Sequence, residues 1–577
     1  MAEQVSSRRG LRQFFSELRR RHVLETAGIY LAGGWLLIEA ADILFPVFSL
    51  PDFFMRILVF SVFAGFPVIL FLSWIFDISL RGLIRTDKAR AAATISFDDI
   101  PQRSIAVLPF SNMSGSADND YFGDGLAEEL LNLLAKIESL KVAARTSSFA
   151  LRDQKLDARE IGSTLGVWHV LEGSVRQAGQ RIRITAQLIE APTGYHLWSE
   201  TFDRDLDDIF AIQDEIATAI VDALQLAIAG KRSQSRSDAE LPTENIEAYQ
   251  YFLRATYLWQ RRGADAIGGA IRALEQAVEL DPDYAEAYAR LAAAEAILHE
   301  FTQEPREPGF ARAEAHARKA IALDPGLGEP HGVLGYMALR LWKWRESELH
   351  FARALQLQDT LPTLHQWFSN LLNDLGEHER AEQALAAAHA LDPLSPTANN
   401  LVAFTAFLRG HDDIARKHSA LAREYGIGGG IPDIVDFVVS LRRGDRADAL
   451  TIWRPHLVRC GLEPNDWLEP VVDGILDSSG REAAGKALRD AIQNGTIDER
   501  QAFFHAALLA DELVFDVAQA MLADHVLTHV WLFLPEARAL ITDKRFFRLM
   551  DTIGLVDYWR AQGTPPAFER ALGERLH

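Results

Sequence analysis

The sequence predicts a multi-domain protein: two N-terminal transmembrane helices, an α/β domain and a C-terminal all-α solenoid of helical repeats. Three observations carry this. Twenty residues without a charge run from Ile57 to Phe76. Apolar and polar residues alternate strictly from Arg181 to Leu188. Beyond residue 243, alanine and leucine columns recur at a spacing of 34.

The uncharged run matches a bilayer core at about 1.5 Å rise per residue, and Pro67 inside it is tolerable in a membrane helix. Val23 to Phe48 is a second expected span. Its large apolar residues offset Glu39 and Asp42, although a central acid costs roughly 2.5–3.5 kcal/mol on insertion scales. Glu39 and Asp42 are therefore candidate intramembrane acids. The competing reading has them near a helix end at Pro46, leaning towards the headgroups. Arg8, Arg9, Arg12, Arg19, Arg20 and Arg21 precede the spans; Arg81, Arg85, Lys88 and Arg90 follow them. The positive-inside rule then places both flanks, and all that follows, on the cytoplasmic side of a bacterial inner membrane. The expected organisation is a basic tail over 1–22, two spans over 23–76 and a linker over 77–102.

Residues 103–230 read as the α/β domain. "SIAVLPF" (104–110) is a short β-branched run ended by proline, a buried strand. Leu126, Leu130, Leu133, Leu134 and Ile137 share one helical face. "DAREIGSTLG" is a short helix closed by glycine. In "QRIRITAQLIE", Ile182, Ile184, Ala186 and Leu188 alternate with Arg181, Arg183, Thr185 and Gln187, so one face is buried and the other polar. The flanking "VWHVLEGSVR" and "YHLWSETFDR" complete an antiparallel meander. His169, Glu172, His196 and Glu200 are acid–base types, but no motif converges them. No catalytic residue is expected, and the chain is expected not to be an enzyme.

The blocks "SIAVLPFSNMSG", "YFGDGLAEELLNLLAKI", "LKVAARTSSFAL" and the run from Glu160 to Ala217 resemble the TolB amino-terminal-like (FlgO-like) domain. That resemblance covers about residues 103–230. It implies a binding or signalling module of membrane-anchored proteobacterial proteins and brings no catalytic residues. Such domains are often fused to helical repeats, and sometimes to a nucleotide cyclase or a winged-helix DNA-binding domain. Only 22 residues precede the first expected span, too few for either output domain.

A polar linker over 231–242 leads to the repeats of 243–400. Ala277, Ala320, Ala354 and Ala388 form one column; Leu280, Leu323, Leu357 and Leu391 form another, with spacings of 43, 34 and 34. Thirty-four is the tetratricopeptide period. Alanine at the crossing lets helices approach closely, and Pro282, Pro325 and Pro393 are expected to start the next helix. From 401 to 577 the pattern decays into degenerate helical repeats and an expected cap. Gln366, Asn370 and Asn373 lie on the first helix of the third aligned repeat, and are the candidate peptide groove.

The net charge of −21 argues against nucleic acid as a partner, since binding phosphates needs a basic surface. The lone Cys460 excludes an internal disulfide and reads as a packing residue. His525 and His529 have metal-ligand spacing without a third ligand, and "GIGGG" (426–430) lacks the lysine of a phosphate loop, so neither a metal nor a cofactor is expected. The expected function is a membrane-anchored scaffold or accessory signalling component that binds protein partners through its repeats. The alternatives are an envelope or small-ligand sensor, and a regulator linked to cyclase or transcription signalling.

Overall fold

The computed structural model describes residues 97–205 and 243–563 apart from short breaks, Phe568, positions between 212 and 223, positions between 35 and 66, and most of 76–85. The chain divides into two compact units, residues 1–95 and 96–577.

In the first unit, β1 (Phe76–Ser79) pairs antiparallel with β2 (Gly82–Arg85). Phe76, expected to end the second span, instead opens this ribbon, which lies in the stretch read as a linker. Among the described residues no helix is long and apolar enough to cross a membrane. Most of 23–76, including Asp42, lies outside those residues. Glu39 is an exposed helical position, and Trp35, Leu37, Phe53 and Phe60 are exposed as well.

The second unit begins with a mixed sheet. Its elements are β3 (Ser104–Val107), β4 (Ser111–Asn112), α1 (Asp120–Ala135), β5 (Lys141–Val142), α2 (Arg145–Phe149), α3 (Ala158–Leu165), β6 (His169–Ala178), β7 (Arg181–Glu190) and β8 (Tyr195–Asp205). The strand order is β5-β3-β6-β7-β8, with β4 added beside β6. β3 runs parallel to β5 and β6; β6, β7 and β8 form the antiparallel meander. Period two decides which face each residue covers. Ile105, Val107, Leu171, Ile182, Ile184 and Leu188 pack with Leu126, Leu130 and Leu134 of α1. Ala106 and Val170 point the other way, onto Leu151 and the Ile161 and Leu165 of α3. The α3 helix starts with a capping box between Asp157 and Glu160 and stops at Gly166, which adopts φ 66°.

Helices α4 to α19 then stack as successive pairs: α4 (Ile246–Arg261) with α5 (Ala264–Leu280), α6 (Ala285–Ile297) with α7 (Arg306–Leu323), α8 (Glu329–Arg340) with α9 (Trp344–Leu357), α10 (Pro362–Asp374) with α11 (His378–Leu391), and α12 (Pro396–Leu408) with α13 (Asp412–Glu424). The pairing continues through α14 (Ile431–Arg442) with α15 (Arg446–Arg459), α16 (Leu468–Leu476) with α17 (Arg481–Gln493), and α18 (Glu499–Leu509) with α19 (Leu513–Ala523). The C-terminal region is therefore a helical-repeat solenoid that runs on well past residue 400, where the sequence columns fade. Ala277, Ala320, Ala354 and Ala388 are all 0% exposed, whereas Leu280 is 37% exposed. The alanines mark the close crossing and the leucine column its margin.

The prolines correct one expectation. Pro282, Pro325 and Pro393 sit in the turns, and the following helices begin at Ala285, Glu329 and Pro396. The aspartate before each proline ends its helix in extended conformation or close to it, and Asp281 and Asp324 accept the backbone N–H two residues on. A proline placed there stops the preceding helix rather than starting the next.

The α/β domain is joined to the repeats at two places. Gly125 of α1 lies against Leu253 of α4, where an added Cβ would meet the leucine at 2.6 Å. At the second place the buried Ser147 hydroxyl donates to Asp392 at 2.5 Å and accepts from the Leu394 N–H at 2.8 Å. The Ala144 N–H also donates to the Leu391 carbonyl at 3.1 Å, and Leu394 is buried among Ala143, Leu151 and Ile161. Burial raises the Asp392 pKa against hydrogen bonds from Ser147, Thr146 and Ser395. Ser147→Ala leaves a buried N–H and part of a buried carboxyl unpaired, so stability measured by urea unfolding should fall by about 1–3 kcal/mol. A change near zero would show that water replaces the hydroxyl without loss.

Candidate functional site

The tail of the chain decides what the expected peptide groove contains. Short 3-10 turns at His529–Phe533 and Pro535–Thr542 lead into α20 (Lys544–Thr552) and α21 (Leu555–Gln562). This segment folds back along the solenoid rather than only closing its end. His529 Nε2 donates to the Asp374 carbonyl at 2.8 Å, and Trp559 Nε1 to the Leu375 carbonyl at 3.0 Å. Trp344 Nε1 reciprocates onto the Ile553 carbonyl at 2.7 Å. Trp531 packs edge-on against Phe404, Phe407 and Phe504, and Arg442 pairs with Glu536 at 2.7 Å.

Of the candidate groove residues, Gln366 and Asn373 are buried and only Asn370 is partly exposed. The Asn373 amide donates to Thr405 Oγ1 at 2.8 Å, and its carbonyl oxygen lies 3.1 Å from His378 Nδ1. Asn373 thus ties neighbouring repeats together, and the tail covers the end of its helix. The sequence could not separate a groove-facing amide from an inter-repeat one, because both occupy the same helical period.

The other singled-out residues also find places. His169 is buried with Nδ1 donating to the Ser104 carbonyl at 3.1 Å, and burial lowers its pKa. His196 and Glu200 are exposed on β8, away from it. Arg181 and Arg183 converge on Asp203 across the β7–β8 pair. Cys460 is exposed rather than packed, at the C-terminal cap of α15, with Sγ 3.7 Å from His456 Nε2. Desolvation raises its pKa, and a helix C-terminus disfavours a thiolate, so the thiol is not activated. His525 lies outside the described residues, and His529 is committed to Asp374. Among the described residues no group of three or more His, Cys, Asp and Glu is placed to hold a metal ion. Gly426 and Gly430 have φ of 124° and 73° in the turn before α14, which is what that glycine run serves.

A cavity of about 510 Å³ opens beside the sheet, a feature that the sequence did not signal. Its floor is built from cross-strand pairs of β6 and β7: Glu172 opposite Gln187, and Ser174 opposite Thr185. One wall is the chain from Leu108 to Asn112 leaving β3; the other is formed by Leu151, Arg152, Gln154, Leu156 and Ile161. This is the C-terminal end of the parallel strand, where α/β sheets leave room for ligands. Gly173 makes the floor possible: a Cβ there would run into the Phe110 ring at 2.6 Å and into the Thr185 carbonyl. Asp124 lines the cavity, buried and ion-paired with Arg152. Its pKa is raised, chiefly by burial, with Arg152 opposing.

Residues 101–219 match the second domain of the HilA/YgeH-like transcriptional regulator family. These residues carry the mixed sheet of the α/β domain. A curated relative, the putative adenylate cyclase 3 of Rhizobium meliloti (strain 1021), is 43% identical over 210 residues. The match spans 36% of this chain and 35% of that protein, about a third of its length. Among solved structures, Pseudomonas aeruginosa pilF gives a TM-score of 0.29 at 19% identity over 37% of this chain and 91% of its own. A tetratricopeptide repeat protein from Parabacteroides merdae ATCC 43184 gives 0.30 at 12% identity, covering 46% and 100%. The repeats are defined by the pairing of successive helices from α4 to α19.

Two outcomes follow from the electrostatics. Arg152→Ala leaves Asp124 buried without its cation and raises its pKa further. An acid whose folded pKa lies above its unfolded value favours the fold at low pH, so the variant should lose stability relative to the parent as pH rises above about 4. Burial also lowers the pKa values of His378, His418 and His505 to about 4. The unfolded chain protonates these groups near pH ~6.5, so their contribution is full above that and is lost as pH falls towards 4. For the fully buried His505 the linked free energy is about 3 kcal/mol. Urea midpoints measured across that range should drop steeply, and His505→Gln should flatten the slope.

Proposed function

We propose that this chain is a membrane-anchored interaction scaffold that binds protein partners and carries no catalysis of its own. The observation that carries this reading is the continuous stack of helix pairs to which the α/β domain is joined at two places. Stacked pairs offer extended recognition surface, and such surface selects partners rather than transforming substrates. The anchor is assigned to 23–76, with both soluble flanks cytoplasmic at a bacterial inner membrane. The exposed Trp35, Leu37, Phe53 and Phe60 and the arginines on both sides support that assignment. Residues 103–230 serve as a TolB-like (FlgO-like) module. Similarity both to a domain of a transcriptional regulator and to part of a protein named an adenylate cyclase supports a shared accessory role beside different outputs.

A second reading, a small-ligand sensor, is favoured by the cavity over β6 and β7. Scaffold and sensor are compatible, because α2 contacts the fourth repeat through Ser147 and leads directly into the cavity wall at Leu151.

Topology tests the anchored reading. Fluorescent-protein and alkaline-phosphatase fusions placed after Leu83 and at the C-terminus should give fluorescence without phosphatase activity. Phosphatase activity at either site would put the repeats outside the cytoplasm and overturn the scaffold's assigned side.

A further inference from the structure

We propose that the cavity over β6 and β7 takes a small organic cation, an amine or guanidine on an apolar body, with Glu172 as its charge partner. The proposal rests on the sensor reading of that cavity and assigns its ligand class.

The charges around the cavity select the ligand. Asp124 and Arg152 both line it and neutralise one another. Arg145, at the start of α2, is engaged by Glu128 at 2.7 Å. Glu172 remains. It is half-buried on the floor, and among the described residues it has no hydrogen bond or ion pair. The basic residue nearest to it along its strand, Arg176, is exposed and does not line the cavity. Among the described residues, one carboxylate without a partner therefore faces a recess that shields it partly from water.

Each ligand class meets that carboxylate differently. An anion is repelled by it. A neutral ligand fills the space but strips water from the charge without pairing it, which is unfavourable. A cation replaces the lost hydration with a charge-assisted hydrogen bond. Ser174, Thr185 and Gln187 lie beside Glu172 and offer further oxygen acceptors to the remaining N–H groups. The walls are different in kind: Leu108, Phe110, Leu151, Leu156 and Ile161 present hydrocarbon and one aromatic ring. The ligand thus combines a cationic head with an apolar body within about 510 Å³.

The test uses the full chain in mild detergent and ligand-observed NMR with matched probes. Tyramine and benzylguanidine serve as cations, 2-phenylethanol as the neutral probe and 3-phenylpropionate as the anion. Both cations are expected to bind, and Glu172→Gln, which keeps the side-chain shape, should weaken them at least about tenfold. Binding of 2-phenylethanol should be undiminished or stronger in Glu172→Gln, since the buried charge it would desolvate is gone, with unchanged circular-dichroism melting as the folding control. If the neutral or anionic probe binds as well as the cations, or Glu172→Gln leaves cation binding unaltered, the cation assignment falls while the cavity reading stands. If no probe of any charge binds, the sensor reading of the cavity falls with it.

Discussion

A helix pair with an apolar face on each side cannot bury both within itself, and this constraint organises everything beyond residue 243. Each pair is stable only against a neighbour, so the stack extends until something closes it. The alanine column sets how near the neighbours come: at 0% exposure, Ala277, Ala320, Ala354 and Ala388 leave no room for a larger side chain without separating the helices. The same demand persists where the columns fade. In the later pairs it is met by aromatic packing, as Phe437 stacks on Trp453 at 4.4 Å and Trp453 Nε1 donates to His505 at 2.9 Å.

A stack of this kind has two problems at its ends, and the chain solves them with other parts of itself. The first pair is covered by α1 of the α/β domain, through the gap left at Gly125 for Leu253. Further along, the returning tail covers the middle of the stack and its last pair: Trp559 and Phe568 lie at the end of α10, with Phe568 against Gly376, and Trp531 lies against Phe404 and Phe504. The tail's imidazole and indole N–H groups reach the carbonyls at the end of α10, which no intrahelical partner can satisfy. Surface that would be open in an isolated solenoid is thereby used internally.

Charge follows the same geometry. The chain is acidic overall, and several of its arginines pair between neighbouring repeats: Arg290 with Glu329 at 2.8 Å, Arg340 with Glu300 at 2.8 Å, and Arg442 with Asp412 at 2.5 Å. Partners separated by 30 to 40 residues are one repeat apart, so these pairs fix the stacking register rather than any single helix. The Arg290 and Arg442 pairs are partly buried, where an ion pair loses less to solvent screening than at the surface. The cavity stands out against this pattern, since Glu172 is an acid left unmatched within a protein that matches so many.

The sequence by itself determined the local periods. Alternation from Arg181 to Leu188 put Ile182, Ile184, Ala186 and Leu188 inside, and spacing of 34 put the alanines at the crossings, because both patterns are set by backbone geometry within a few residues. It also showed that His169, Glu172, His196 and Glu200 share no motif. Tertiary structure alone decided the rest. That the strand at Ser104 pairs parallel with β6, that Ser147 meets Asp392 across 245 residues, that Asn373 turns inward and that the tail covers α10 are all consequences of long-range packing. Only the folded chain brings Leu108, Leu151 and Glu172 around one cavity. No periodicity records such meetings, because their partners are chosen by shape and by the need to satisfy buried polar groups, not by neighbours along the chain.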